Sequence, residues 1–148
     1  MQTNSAIQTT APSLTKLGAC LIYDALVVIA LSFVCAWAFL WLVGDATQGI
    51  KRYVLQLFLC LSVGTYFIWC WLKSGQTLAM QTWQLKLVNK DAQLLSLKVA
   101  LARYVLACVS LMLFGLGFLW AIFDRDRLFL HDRLLQTRII FVPRNTAL

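Results

Sequence analysis

Gly115–Arg133, GLGFLWAIFDRDRLFLHDR, decides how the rest of the chain is read. Gly115–Phe123 carries no charge across nine residues, and the ten that follow, Asp124–Arg133, hold seven ionisable side chains. A soluble core helix has no use for so abrupt a change, whereas the edge of a bilayer does. Composition agrees. Of 148 residues, 61% are hydrophobic and 13% charged, and six are Trp. That length gives room for one domain, and the balance is too apolar for an ordinary soluble one. Thirteen Lys and Arg stand against six Asp and no Glu, a net charge of +7. Nucleic acid and anionic lipid both attract such a charge. Here the charges flank apolar runs and form no basic face with interleaved aromatics. The expected partner is therefore a lipid bilayer and not nucleic acid.

Upstream, residues 1–13 are polar and uncharged with Pro12 near their end, and they read as a disordered tail. Residues 14–142 form the membrane domain, and 143–148 a second tail. Ala36-Trp37-Ala38 fits a small-x-small cleavage pattern, but the apolar run continues past it and is far longer than a signal core of roughly 7–15 residues. Leu17–Val43 is thus expected as a retained helix, about 40 Å long at ~1.5 Å per residue, long enough to span with tilt. Inside it Asp24 is followed by nineteen uncharged residues. Residues 44–49 make a turn, and Tyr53–Leu72 supplies a second spanning helix that runs antiparallel to the first. Trp69 and Trp71 near Lys73 suit an aromatic belt.

The connection at 73–98 is polar. Trp83, Leu85 and Leu87 alternate with Gln84, Lys86 and Val88, the period of a half-buried strand. A turn at Asn89–Ala92 would return Gln93–Ser96 as its hairpin partner, and an interfacial helix over Thr77–Leu87 is the competing reading. The third apolar segment covers about 97–123. After the charged stretch, Thr137–Val142 reads as a strand. The fold class is all-α integral membrane, with three hydrophobic helical segments and a small cytoplasmic β layer.

Charge decides between two courses for the third segment. With three full crossings, one side holds six Lys and Arg and the other seven, which is no bias. If the segment is kinked or re-entrant at Gly115–Gly117, the tail at 124–142 rejoins the side of residue 16 and the long connection, and the count becomes eleven against two. Real membrane proteins keep Lys and Arg in the cytoplasm, so the folded-back course is favoured. It would also let Thr137–Val142 pair with the connection. The expected location is a bacterial inner membrane with a cytoplasmic N-terminus.

Lys16 to Asp24, Gly75-Gln76-Thr77-Leu78-Ala79-Met80-Gln81-Thr82-Trp83, and Gly115–Thr137 together resemble the RDD family of small multi-pass membrane proteins. The family is named for an Arg at the start of the first helix, an Asp within it and a further Asp. It shows a GQTLG-type motif after the second helix and an LHD-type motif after the last. Gln76-Thr77-Leu78 and Leu130-His131-Asp132 match, and Asp24 stands where the first Asp belongs. Lys16 replaces the Arg, keeping the charge without bidentate hydrogen bonding. Ala79 and Gln81 replace a usual Gly and a usual basic residue. The resemblance implies a part in transport.

Asp24 reads either as an ion- or proton-carrying carboxylate or as a structural brace, since an intramembrane carboxylate is functional by default. Arg103 is its expected partner, with Arg125 or Arg127 as a second if the tail folds back. His131-Asp132 reads either as a proton relay, because His titrates near neutrality, or as a pair that fixes the tail. Asp124-Arg125-Asp126 lacks the Glu or second His that would complete a metal shell. The five Cys lie in apolar helices without C-x-x-C spacing and read as small fillers. Neither a nucleotide loop nor a nucleophile motif occurs, so no enzyme and no cofactor is expected. Three apolar segments hardly enclose a pathway alone. A homo-oligomer or a larger membrane partner is therefore expected, and a non-transporting scaffold is the alternative function.

Overall fold

The computed structural model describes residues 11–46 and 48–142; most of the first tail, and all of the second, lie outside the described residues. The elements run α1 (Leu14–Val43), α2 (Gly49–Lys73), α3 (Leu78–Thr82), β1 (Leu85–Asn89), α4 (Leu97–Met112), α5 (Leu116–Phe123), α6 (Leu130–Leu134) and β2 (Thr137–Phe141). The Ser13 side chain caps α1 by accepting from the Lys16 N–H. Gly44, at φ +80°, ends the helix by returning its N–H to the Leu40 carbonyl. With 30 and 25 residues and mean hydropathies of 2.6 and 1.7, α1 and α2 are each long and apolar enough to cross a membrane. α2 packs against both α1 and α4. Gly64 permits the close approach to α4: a Cβ there would lie 2.8 Å from Tyr104 Cε1. The hydroxyls of Ser62 and Thr65 turn back onto the Phe58 and Leu61 carbonyls, each at 2.8 Å, so neither needs water.

The third apolar segment breaks where the glycines stand. α4 and α5 meet at a bend of 94°. Phe114 and Gly115 adopt positive φ of 56° and 75°, and the Gly115 N–H bonds the Ser110 carbonyl at 2.8 Å. Gly117 packs against Ser110 so closely that a Cβ would collide with its hydroxyl. The 16 residues of α4 rise only about 24 Å, short of a ~30 Å hydrocarbon core.

β2 then pairs antiparallel with β1, Leu87 facing Ile139 and Leu85 facing Phe141. The tail and the long connection therefore lie at one end of the helices. This end holds the buried core, built from Leu17 and Cys20 of α1, Trp71 of α2, Ala79 and Met80 of α3, Leu85 and Leu87 of β1, and Ile139 of β2. Beyond it, large apolar side chains point outward, among them Phe33 (77% exposed), Trp41 (79%) and Phe114 (96%). So much exposed apolar surface marks a face made for lipid or for another protein.

Two expectations need correction. Gln93–Ser96 is not the partner of β1, although the Asn89 N–H does reach the Gln93 carbonyl at 2.9 Å. The outer edge of β1 is occupied instead by Gly75, whose carbonyl accepts from the Leu87 N–H at 2.7 Å, and by Gln76, whose Nε2 donates to the Leu85 carbonyl at 2.7 Å. Trp71 does not face outward in a belt. It is buried, while Trp69 is 59% exposed with Lys73 Nζ over its ring at 4.7 Å.

Candidate functional site

The loop from Gly75 to Leu78 joins α2 to the β layer. Gly75 has φ +71°, and a Cβ there would lie 2.7 Å from the Leu87 carbonyl oxygen, so both conformation and space favour glycine. Thr77, fully buried, caps α3 by accepting from the Met80 N–H at 3.2 Å. The Leu78 N–H reaches the Tyr66 hydroxyl at 3.3 Å. Each residue of this motif is thus used in holding the loop against its neighbours.

One turn of α6 and two turns of α4 bring the central ion pair together. Arg103 Nε donates to Asp132 Oδ1 at 2.7 Å and its Nη2 to Oδ2 at 3.2 Å, a bidentate pair with side chains 5% and 1% exposed. The Thr137 hydroxyl donates to the same Oδ1 at 2.9 Å. The guanidinium lies over the Trp71 ring, 4.4 Å from its centroid. Burial works against the charge of Asp132, but Arg103 outweighs it, helped by His131 and Thr137, and holds the carboxyl below its ordinary value. Asp132 is therefore ionised at neutral pH.

His131 is 2% exposed, stacked on Phe129 and edge-on to Phe118. Its Nε2 stands 3.8 Å from Asp132 Oδ1, too far for a hydrogen bond, and neither ring nitrogen has a hydrogen-bond partner among the described residues. Burial is the largest cause that drives its pKa down to about 4; Asp132 opposes the shift and Arg103 adds to it. The ring is neutral at physiological pH, which removes the titration a relay would use.

The expected Asp24–Arg103 pair does not form, because Arg103 turns its fork to Asp132. Nor do the tail arginines reach Asp24. Arg125 is exposed, Arg127 Nη1 donates to the Pro12 carbonyl at 3.1 Å, and Arg133 pairs with Asp124, whose Oδ2 also accepts from the Leu128 N–H at 3.1 Å. Lys16 places its Nζ 3.8 Å over the Phe141 ring, tying the start of α1 to β2.

Asp24 instead faces a cavity of about 370 Å³ lined by α1, α2 and α4, with Arg103, Thr77, Trp71 and Tyr104 among its other polar side chains. The Cys20 thiol approaches Asp24 Oδ2 at 3.9 Å. Oδ1 is buried and has no hydrogen-bond partner among the described residues. Most of the remaining wall is apolar, including Leu21, Val28, Phe67 and Phe118, and the Trp71 Nε1 is a second buried polar atom without a partner among the described residues. The structure therefore separates the two acidic motif positions. Asp132 is spent in a closed ion pair, and Asp24 keeps an unpartnered oxygen at the cavity wall.

Two contributors to the site escape a reading of the sequence. Thr137 stands out there only as the first residue of a strand; its distance of five residues from Asp132, across one helical turn, is the available signal. Trp71 carries no signal beyond its place near the helix end. A family model described as the RDD family matches residues 10–136. No curated protein and no solved structure matches the chain.

Proposed function

The chain belongs to the RDD family, and from that premise we propose that it is an integral membrane protein with a transport-related function, in which Asp24 carries a proton or a cation. The observation that carries this reading is the buried, unpartnered Oδ1 of Asp24 facing an apolar cavity. A carboxylate oxygen left without a partner in such surroundings is costly unless something visits it. Protein reconstituted in liposomes should dissipate an imposed pH or cation gradient, and folded Asp24→Asn protein should not. Equal flux through Asp24→Asn would refute the role of Asp24.

The same reading puts the N-terminus, the long connection and the tail in the cytoplasm of a bacterial cell. The β1–β2 pairing supports this by keeping connection and tail at one end, and the eleven-to-two charge count supports it independently. A reporter active only outside the cytoplasm should stay silent when fused after Leu148 and work when inserted near Gly49. An active fusion at Leu148 would overturn this topology.

A scaffold function without flux is the second reading, and the closed Arg103–Asp132–Thr137 cluster favours it, since those polar groups are fully used in holding the fold. A folded oligomer that moves nothing in liposomes, yet co-purifies with one larger membrane protein, would support it.

A further inference from the structure

Resting on that reading of the cavity, we propose that its ligand is a lipophilic amine in its protonated form, an N–H donor carried on an apolar chain, which enters from the bilayer between α1 and α4. Charge comes first. Arg103 is paired with Asp132 through Nε and Nη2, the Thr77 hydroxyl accepts from the Met80 N–H with its own proton within reach of Asp24, and the Trp71 Nε1, a neutral donor, has no partner among the described residues. The unspent charge facing the cavity is therefore negative and belongs to Asp24. Its Oδ1 wants a donor, which a protonated amine supplies and a quaternary ammonium does not.

The walls then select the rest of the ligand. A hard metal cation prefers about six to eight oxygen ligands, and one carboxylate among leucine, valine and phenylalanine side chains offers too few. An apolar chain loses nothing there and leaves water or lipid for a matching wall. The volume of about 370 Å³ falls within the ~300–1,000 Å³ usual for small-molecule sites. α1 and α4 each pack on α2 but scarcely touch one another, so the cavity has a lateral side where neither helix closes on the other. A ligand dissolved in the membrane can approach by that side without crossing the polar layer.

The test uses the full chain in nanodiscs of zwitterionic lipid, with radiolabelled decylamine, decanol and decyltrimethylammonium as probes at neutral pH. Wild type should show saturable binding of decylamine above the lipid background, about tenfold or more tighter than decanol, as one charge-assisted hydrogen bond implies. Decyltrimethylammonium should fall between them. Asp24→Glu should keep the preference and Asp24→Asn should lose it. Ala107→Phe, which fills the wall without touching the charge, should abolish saturable binding. Equal affinity for decanol, unchanged binding by Asp24→Asn, or no saturable binding to wild type would overturn the proposal. The amine-to-alcohol ratio is read on wild type, so it decides even if a variant does not fold. Binding without flux would overturn the transport reading alone, and flux without amine binding would overturn only this one.

Discussion

Asp132→Ala should cost about 3–5 kcal/mol of stability, the loss expected when one member of a buried ion pair is removed and the other is left charged. The substitution strips Arg103 of its bidentate partner at a site where both side chains are at most 5% exposed, and it leaves the Thr137 hydroxyl without its acceptor. Arg103 cannot easily swing toward water, since Trp71 lies under its plane. The measurement is the fraction folded against SDS mole fraction, for wild type, Asp132→Ala, Arg103→Ala, and the apolar double variant Arg103→Met with Asp132→Leu. The double variant should lose less than either single one, because it removes both charges together. Additive losses, or an Asp132→Ala protein within about 1 kcal/mol of wild type, would show that the pair does not hold the tail. The pH dependence has a definite sign. Asp132 has a depressed folded value, so its contribution is complete above the ordinary carboxylate value of 3.8 and is lost as pH falls through the lower folded one.

What the sequence made legible divides by the range of the interaction. α1 and α2 follow from hydropathy and length, which are local properties, although they start at Leu14 and Gly49, before the expected Leu17 and Tyr53. The bend at Gly115 was legible for a second reason. Two glycines inside an apolar run agreed with a charge count that made little sense for a straight span. β1 announced itself by alternation and Thr137–Val142 read as a strand, and a folded-back tail returns β2 to the connection, where it lies. The nearer partner, Gln93–Ser96, was the wrong one. Nothing in its own residues excluded it, and the choice depended on Gly75 and Gln76 occupying the free edge of β1. The two competing readings of 77–88 proved to be neighbours, a one-turn helix followed by a strand.

The ion pair was the least legible part of the site. Counting residues along α1 and α4 gives depth along an axis, and by depth Asp24 and Arg103 are plausible partners. It gives no information about α6, a five-residue helix that exists because packing against α4, α5 and β2 holds it. A carboxylate from that short helix reaches Arg103 with both oxygens, takes a third hydrogen bond from Thr137, and so outcompetes one across the cavity. The consequence reached further than one wrong contact. It left Asp24 with an unpartnered oxygen, which is the feature on which both functional proposals depend.

His131→Phe should leave stability at neutral pH unchanged or raise it by about 1–2 kcal/mol, and it should remove part of the protein's sensitivity to acid. The imidazole sits among Phe118 and Phe129, with two nitrogens that find no partner among the described residues, so an aromatic ring without nitrogens suits the same slot. The acid effect follows from the depressed pKa of about 4 against an ordinary 6.5. Above the ordinary value the ring is neutral in both folded and unfolded chains and pH has no influence through it. Between 6.5 and about 4 the unfolded chain takes up a proton that the folded one refuses, so stability falls with pH. The full loss, reached below both values, is about 3 kcal/mol, because each tenfold drop in proton affinity is worth ~1.4 kcal/mol. Wild type should therefore unfold at a clearly lower SDS mole fraction at the lower end of that window than at neutral pH, and His131→Phe should show a much smaller difference. A wild-type protein equally stable across the window would contradict a buried neutral ring. The same variant bears on the proton-relay reading. If flux through reconstituted protein keeps its pH profile after His131→Phe, the imidazole carries no proton for transport, as its burial and its missing partners imply, and the carboxylate of Asp24 remains the group to which the profile must be assigned.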